Sequence, residues 1–269
     1  MIRLPAVAGQ FYPASPRELS SLIHRFIKGN EEAEKVPVRA CLVPHAGYIY
    51  SGHVAAAVFP RIVIPKKIIV LGVRHQPFGE PLAIISHGEW RTPLGDAMID
   101  RALALGLRAA CPLLQEDEVA HSREHSLEVE IPFLQTLQSE FRFVPIAVGS
   151  TRFDELVRVG EGVAEVIAGG EEEILIVTSS DMNHYEDDDL TRRKDQRAIE
   201  CMRRVDARGL YDVCRRERIS MCGLGPAIVT LSALWKLGVK TGEMVKYATS
   251  GDVSGERDAV VGYAGMIFR

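Results

Sequence analysis

The chain changes character within one stretch, ILIVTSSDMNH at residues 174–184, where an apolar run passes directly into polar side chains. The first half is rich in β-branched residues and apolar on both faces, which is typical of a strand covered by helices on both sides. In open α/β sheets, ligands bind beyond the carboxyl ends of such strands. Asp181 and His184 therefore lie where chemistry is expected, and we predict that they are the catalytic groups.

Two further apolar runs end in the same way. The run at residues 40–43 leads to His45, and the run at residues 67–71 leads to His75. Such strands, alternating with helical segments, predict an α/β fold with a central, mostly parallel or mixed sheet flanked by helices. Since the carboxyl ends of parallel strands meet at one edge of a sheet, we predict that these groups converge in one cleft.

Length and composition favour one globular domain over residues 1–269, because no linker or compositional break interrupts the chain. A net charge of -4, with Lys and Arg dispersed, excludes the basic footprint of a nucleic-acid-binding protein. No apolar run reaches the roughly 18 residues typical of a membrane span. We therefore expect neither nucleic acid nor membrane as a partner.

The cysteines and the N-terminus predict a cytoplasmic protein. The five cysteines are odd in number and form no C-x-x-C pair, which argues against a disulfide framework and a zinc knuckle. The N-terminus lacks the apolar core of a signal peptide.

The remaining patterns predict the secondary structure. Helices are predicted at residues 16–28, 53–59, 100–107, 154–168, 186–204, 206–218 and 227–237; further strands at 82–85, 143–149, 245–248 and 259–268; a loop at 90–95; a solvated connector at 30–35; and a glycine-rich turn at 250–255.

A possible zinc motif, HSREH at residues 121–125, has the H-x-x-E-H spacing of inverted zincins. Pro132 would end any helix soon afterwards, and so short a pattern arises by chance. We predict that this segment does not hold zinc alone. Glu124, His125 and Glu128 are instead expected to form a cleft wall or to orient metal ligands, with a plain polar helix face as the alternative.

Cys222 precedes a predicted helix that Pro226 can start. Helix N-termini favour thiolates, so Cys222 is a candidate metal ligand or nucleophile, with a buried inert thiol as the alternative.

Several short motifs together resemble the Memo family. They are VPHAGY at residues 43–48, EHSLE at 124–128, SSD at 179–181, CG at 222–223 and TSGDV at 249–253. The resemblance runs from Ala6 nearly to the last residue, and it implies a fold like that of class III extradiol dioxygenases. It also implies metal ligands at His45, His75 and Cys222, with Asp181 and His184 as further cleft residues. Tyr48 and Asp252 lie within the matching motifs and are predicted to line the cleft.

The resemblance also bears on the metal. The related dioxygenases hold non-haem iron with two histidines and a glutamate, so a thiolate at Cys222 argues against ring cleavage. We expect a transition metal, iron or copper rather than zinc, in a protein that can be purified metal-free. Affinity should fall as pH drops through the imidazole range near about 6.5. Arg74, beside His75, would oppose metal binding unless its charge is offset.

Two functions remain open from the sequence. The first is a metal-dependent redox protein acting on an unidentified small molecule; as an enzyme it would be a non-haem oxidoreductase or dioxygenase-like protein. The second is a non-catalytic adaptor that binds a ligand or peptide in the same cleft; animal relatives are known as signalling adaptors. The resemblance also implies an AMMECR-type protein or a radical S-adenosylmethionine enzyme as partner. Metal content would distinguish the two functions.

Overall fold

The computed structural model describes residues 1–30 and 34–269. Its strands are β1 (Ile2–Arg3), β2 (Ala40–Val43), β3 (Lys67–Val73), β4 (Leu82–Ile84), β5 (Glu89–Thr92), β6 (Gly95–Ile99), β7 (Gln115–Glu116), β8 (Arg142–Val148), β9 (Ile174–Ser179), β10 (His184–Glu186), β11 (Gly242–Thr249) and β12 (Val260–Phe268).

The α-helices of the same part of the chain are α1 (Pro16–Ile27), α2 (Tyr48–Val58), α3 (Arg101–Ala110), α4 (Val119–Ser122), α5 (Ile131–Leu137), α6 (Phe153–Gly169), α7 (Asp188–Arg203), α8 (Ala207–Glu217), α9 (Leu224–Lys236) and α10 (Gly251–Ser254). Short 3-10 turns occupy Phe59–Arg61 and Glu128–Glu130. No helix in these described ranges is long and apolar enough to cross a membrane.

Four parallel strands form the centre of the sheet, in the order β8, β3, β9 and β2. Strand β12 pairs antiparallel with β2 and with the hairpin partner β11, so the sheet is mixed. Because the four central strands run in one direction, their last residues lie along one edge; these are Val148, Val73, Ser179 and Val43. The prediction of an α/β fold with a mixed sheet flanked by helices is confirmed.

The sheet separates two apolar cores. Along β9, Ile174 and Ile176 pack into one core and Leu175 and Val177 into the other, as the alternation of side chains along a strand requires. Helices α3, α6, α7, α8 and α9 cover the first side, and α1, α2 and α5 cover the second. Burial on both sides explains why the central strands are apolar without interruption.

The prediction of a loop at residues 90–95 is wrong, because β5 and β6 form an antiparallel hairpin there. Pro93 and Gly95 mark only its turn, where Gly95 adopts a φ of 124°. Trp90 is buried against Phe143, so one face of the hairpin belongs to the core. The turn residues that follow Trp90 in the sequence predicted a loop, so the burial of its indole was not predicted.

Two helices begin earlier than predicted. Helix α2 begins at Tyr48 rather than at residue 53, because Gly47 ends the loop while Gly52 lies inside the helix. Gly52 serves packing there, since a Cβ would lie 2.7 Å from the Phe26 ring. Helix α9 begins at Leu224, so Pro226 occupies its third position. The turn at 250–255 contains the short helix α10, and residues 31–33 of the predicted connector lie outside the described residues.

The contact between α6 and α9 can be tested at Gly160. A Cβ on this residue would lie 2.5 Å from the Val229 carbonyl oxygen and 2.6 Å from the Ser232 Cβ, so alanine would push the two helices apart. We expect Gly160→Ala to lower the free energy of unfolding by about 1–3 kcal/mol, measured by chemical denaturation.

Gly106→Ala in α3 is the matched control. The nearest atom to its new Cβ is 3.8 Å away, and we expect stability to stay equal or to rise by up to about 1 kcal/mol through helix propensity. Equal losses in the two variants would contradict this account of the α6–α9 contact.

Candidate metal centre

Three histidines meet at the carboxyl edge of the sheet. His45 follows β2, His75 follows β3, and His125 lies in the irregular segment after α4. One ring nitrogen from each lies within 4.8 Å of the others. The His75 and His125 rings stack at 4.5 Å, while His45 meets both edge-on at 5.2 and 5.4 Å. This histidine cluster could hold a metal ion.

His45 is held by the last residue of β9. Its Nδ1 lies 2.8 Å from the Ser179 hydroxyl, and that hydroxyl lies 2.6 Å from the Ser126 carbonyl oxygen, which can only accept. The His45 Nδ1–H therefore donates to Ser179, and Nε2 is left without a proton. Burial, followed by the charges of His125, His75 and His184, lowers the pKa of His45 well below its usual value, so the ring is neutral.

His75 is held by the carboxylate of Glu124. Glu124 accepts the His75 amide at 2.7 Å, the His75 Nδ1–H at 2.9 Å and the Ser126 amide at 2.8 Å. Burial raises the pKa of Glu124, but the His75 hydrogen bond and charge, the Ser126 amide and His125 outweigh it and lower the pKa to about 2. An ionised Glu124 fixes the ring orientation of His75 and leaves its Nε2 free, as in carboxylate–histidine–metal arrangements.

His125 enters the cluster from the segment that sequence reasoning assigned to the cleft wall. Its ring contacts two others, with the centroid of His75 at 4.5 Å and that of Phe11 at 4.7 Å. Burial lowers the pKa of His125 to about 4, since the raising effect of Glu124 is smaller and His75 opposes it. The sequence feature that could have identified His125 as a cluster residue is its position directly after Glu124, the residue that orients His75.

His121 does not join this cluster. Helix α4 ends at Ser122, so His121 and His125 are not one helical turn apart as in inverted zincins. The His121 Nδ1 lies 2.8 Å from the Asp117 carbonyl oxygen, and its ring contacts Trp90. The two histidines of the H-x-x-E-H motif therefore differ, since His121 belongs to the core and His125 to the histidine cluster.

Cys222 and Asp181 adjoin His45. The Cys222 Sγ lies 3.1 Å from the His45 Nε2 and accepts the Asp181 amide at 3.3 Å. The Asp181 carboxylate accepts the amides of His45 and Ala46 at 2.8 and 3.2 Å, so it fixes the His45 loop. Burial raises the pKa of Asp181 to about 7 against these amides, and burial with the charge of Asp181 raises the pKa of the Cys222 thiol.

His184 lies beside this group, half-buried at the start of β10. It donates its backbone amide to the Ser220 hydroxyl at 2.8 Å, and its Nδ1 lies 3.0 Å from the Ser220 carbonyl oxygen. Burial lowers its pKa. The next residue, Tyr185, has a φ of 60° and is 77% exposed, so the backbone is strained where it carries His184 to the cleft.

Tyr48, Glu128 and Asp252 make contacts outside the histidine cluster. Tyr48 is buried and donates its hydroxyl to the Val129 carbonyl at 2.6 Å. Glu128 is buried, and its Oε2 accepts a hydrogen bond from the Arg3 Nη1 at 2.6 Å. Asp252 pairs with Arg192 at 2.7 Å. These three side chains join separate segments of the chain.

Arg74 turns away from His75. Its Nη1 donates to the carbonyl oxygens of Phe78 and Gly79 at 3.2 and 2.9 Å, and its Nε lies against Gly149. Two carbonyl dipoles thus partly offset the charge that the sequence placed beside His75.

Fold and site together define an α/β protein with a histidine cluster at the ends of its central parallel strands. The family model of Memo-like proteins matches residues 3–267, so the chain belongs to that family. A MEMO1 family protein of Methanopyrus kandleri is 40% identical, over 100% of this chain and 99% of its own. A MEMO1 family protein of Aquifex aeolicus is 42% identical, over 99% of both chains.

A solved structure shares the fold. The chain resembles the crystal structure of the uncharacterized protein JW3007 from Escherichia coli K12, with a TM-score of 0.55 over 86% of this chain and 99% of that chain. The sequences are 14% identical, so this likeness concerns the fold alone.

Glu128 provides a test of structural against site roles. Its carboxylate also accepts the amides of Ala6 and Val7, and Arg3 is 6% exposed, so Glu128→Gln would leave a buried cation without its counter-charge. We expect the free energy of unfolding to fall by about 3–5 kcal/mol, while the folded fraction keeps its metal affinity. Asp96→Asn removes an exposed ion pair with Arg91 and should leave stability unchanged. A stable Glu128→Gln protein with weakened metal binding would assign Glu128 to the site instead.

Proposed function

We propose that this Memo-family protein binds a redox-active transition metal through His45, His75 and Cys222 and uses it to transform a small molecule. The observation that carries the proposal is the geometry at His45. Its unprotonated Nε2 lies 3.1 Å from the Cys222 sulfur, while Ser179 holds the other ring nitrogen.

The residues fit a metal chemically. A metal ligand must be deprotonated, and the lowered pKa of His45 meets that requirement before a metal arrives, while the Glu124 bond orients the His75 ring. Two imidazoles and a sulfur favour iron or copper over ions that prefer oxygen ligands. When bound, such an ion supplies electron exchange and coordination positions that three protein ligands leave open.

Asp181 and His184 supply proton transfer in this proposal. The pKa of Asp181, raised by burial to about 7, allows its carboxylate to take up or release a proton near neutral pH. His184 is neutral at that pH because burial lowers its pKa, so its ring can accept a proton. The Asp181 carboxylate accepts the His45 amide, and the charge of His184 acts on the His45 ring.

We also infer that the protein acts in the cytoplasm. All five cysteines are free, including four that are buried in the two cores, which supports a reducing compartment.

The pH dependence of metal binding tests whether Cys222 is a ligand. The thiol must lose its proton on binding, and its pKa is raised, so affinity should increase with pH by about tenfold per unit between about pH 7 and 8.5. This range lies above the usual imidazole pKa of about 6.5. The measurement is competition with a chelator for Cu(II) and Fe(II), accompanied by the sulfur-to-metal absorption band.

Cys222→Ser should lose this pH slope and the absorption band, and His45→Ala should lose binding. The alternative third ligand is His125, for which wild type would show no slope and His125→Ala, but not Cys222→Ser, would lose affinity. An absence of metal uptake by wild type at micromolar concentration would favour the non-catalytic adaptor.

Glu124→Gln tests the residue that orients His75. An amide keeps the size of the side chain but cannot hold His75 with a full negative charge, so we expect metal affinity to fall by roughly 10–100-fold. Thermal unfolding of the metal-free variant checks that it is folded. Glu118→Gln, on the exposed side of the same region, is the control and should bind metal like wild type. Unchanged affinity in Glu124→Gln would exclude this orienting role.

A further inference from the structure

A cavity of about 340 Å³ opens beside Cys222 and is separate from the histidine cluster. Its walls come from the ends of β3 and β8, from α6 and α8, and from the start of α9. Apolar side chains, among them Val148, Leu156 and Ile228, make up much of the surface. The volume falls in the range of about 300–1,000 Å³ typical of small-molecule sites.

The charge in this cavity has one sign. Its charged lining residues are Arg74 and Arg215, and none is acidic. Within residues 1–30 and 34–269, neither arginine forms an ion pair with a carboxylate. Glu155, which accepts the hydroxyl of the wall residue Ser150, is itself paired with Arg152. Two cations therefore face one partly apolar cavity without a counter-charge.

Arg74 is held at the cavity wall by backbone contacts. Its Nη1 is bound to backbone carbonyls, but its Nε is buried and has no hydrogen-bond partner in the described chain. The guanidinium lies against Gly149, where a Cβ would approach the Nε to 2.4 Å. Because this Nε is packed against Gly149, Arg74 acts on the cavity through the positive charge of its guanidinium rather than through this donor.

The start of α9 adds to the positive potential. Gly225 occupies the second position of this helix of 13 residues, so its amide has no carbonyl to receive it within the helix. Gly225 lines the same cavity. The partial positive charge of a helix N-terminus favours an anion, and here two arginines act in the same direction.

We propose that this cavity binds a small organic oxyanion, a carboxylate or phosphate carried on an apolar body, and presents it to Cys222. The arginines and the α9 amide bind the anionic group, and the apolar wall binds the body. The inference rests on the proposed function, because it names the substrate class of that metal centre. Arg215 donates to the Tyr211 hydroxyl at 2.8 Å, so its guanidinium is already directed by a neighbour on the cavity wall.

Calorimetric titration of the metal-free full chain tests the proposal. The probes are 3-phenylpropionate, phenyl phosphate, inorganic phosphate and the neutral 3-phenylpropanamide. We expect one of the two organic anions to bind, and to bind at least about tenfold more tightly than the amide and inorganic phosphate, since hydrogen bonds to charged groups contribute about 1.5–3 kcal/mol. Comparison of the first two probes identifies the anionic group.

Arg215→Gln should weaken binding of that anion by about tenfold or more, and Arg215→Lys by less. Arg216→Gln, the adjacent residue on α8 that bonds Glu217 instead, is the matched control and should bind like wild type. Arg74→Lys provides a second, independent variant and should also weaken binding.

The outcomes separate this inference from the metal centre. Metal uptake without binding of any probe, or equal binding by Arg215→Gln and Arg216→Gln, would overturn the anion cavity and leave the proposed function intact. Anion binding that follows Arg215 in a protein without metal uptake would support the cavity and reject the metal centre.

Discussion

The hydroxyl of Ser179 joins separate parts of the chain at the carboxyl end of β9. It receives the Nδ1–H of His45, donates to the Ser126 carbonyl and lies 2.9 Å from the Glu130 carboxyl. Burial raises the pKa of Glu130, so a protonated carboxyl can complete this set by donating. A fully buried polar group is tolerated only when it is bonded, and the contacts of Ser179 therefore fix the segments that carry His45 and His125 relative to β9.

Burial also explains how the rings of His45 and His125 remain uncharged. Close imidazoles repel each other when protonated, and burial removes the water that would stabilise the charge. The pKa values of His45 and His125 are lowered for these reasons, while Glu124 keeps its charge and accepts hydrogen bonds from the His75 segment. Hydrogen bonds at Nδ1 orient the rings of His45 and His75 and leave the Nε2 of each ring as the atom that could bind a metal. Cys222 contacts His45 and also lines the neighbouring cavity, so one sulfur belongs to both environments.

The sequence predicted those parts of the fold and site that depend on strand ends. Uninterrupted apolar runs located β2, β3 and β9, and elementary sheet geometry then located His45, His75 and Asp181 at one edge. His125 could not be placed in this way, because it arrives through an irregular segment whose path is set by Glu124 and Ser126. The β5–β6 hairpin was missed because its short strands alternate between core and surface and its turn residues dominate the pattern. Either Gly47 or Gly52 could have ended the loop before α2. Gly47 does so in the structure, because Gly52 lies inside the helix and packs against Phe26.

The contact between Cys222 and His45 spans 177 residues of chain, and the bond from Asp181 to the His45 amide spans 136. Contacts this distant in sequence require closure of long loops, which slows folding. During synthesis, the β2 loop leaves the ribosome long before the residues that complete its surroundings exist. The arrangement around His45 must therefore form late, after Cys222 has been made, and loading of any metal would be a step of maturation rather than a nucleus for folding.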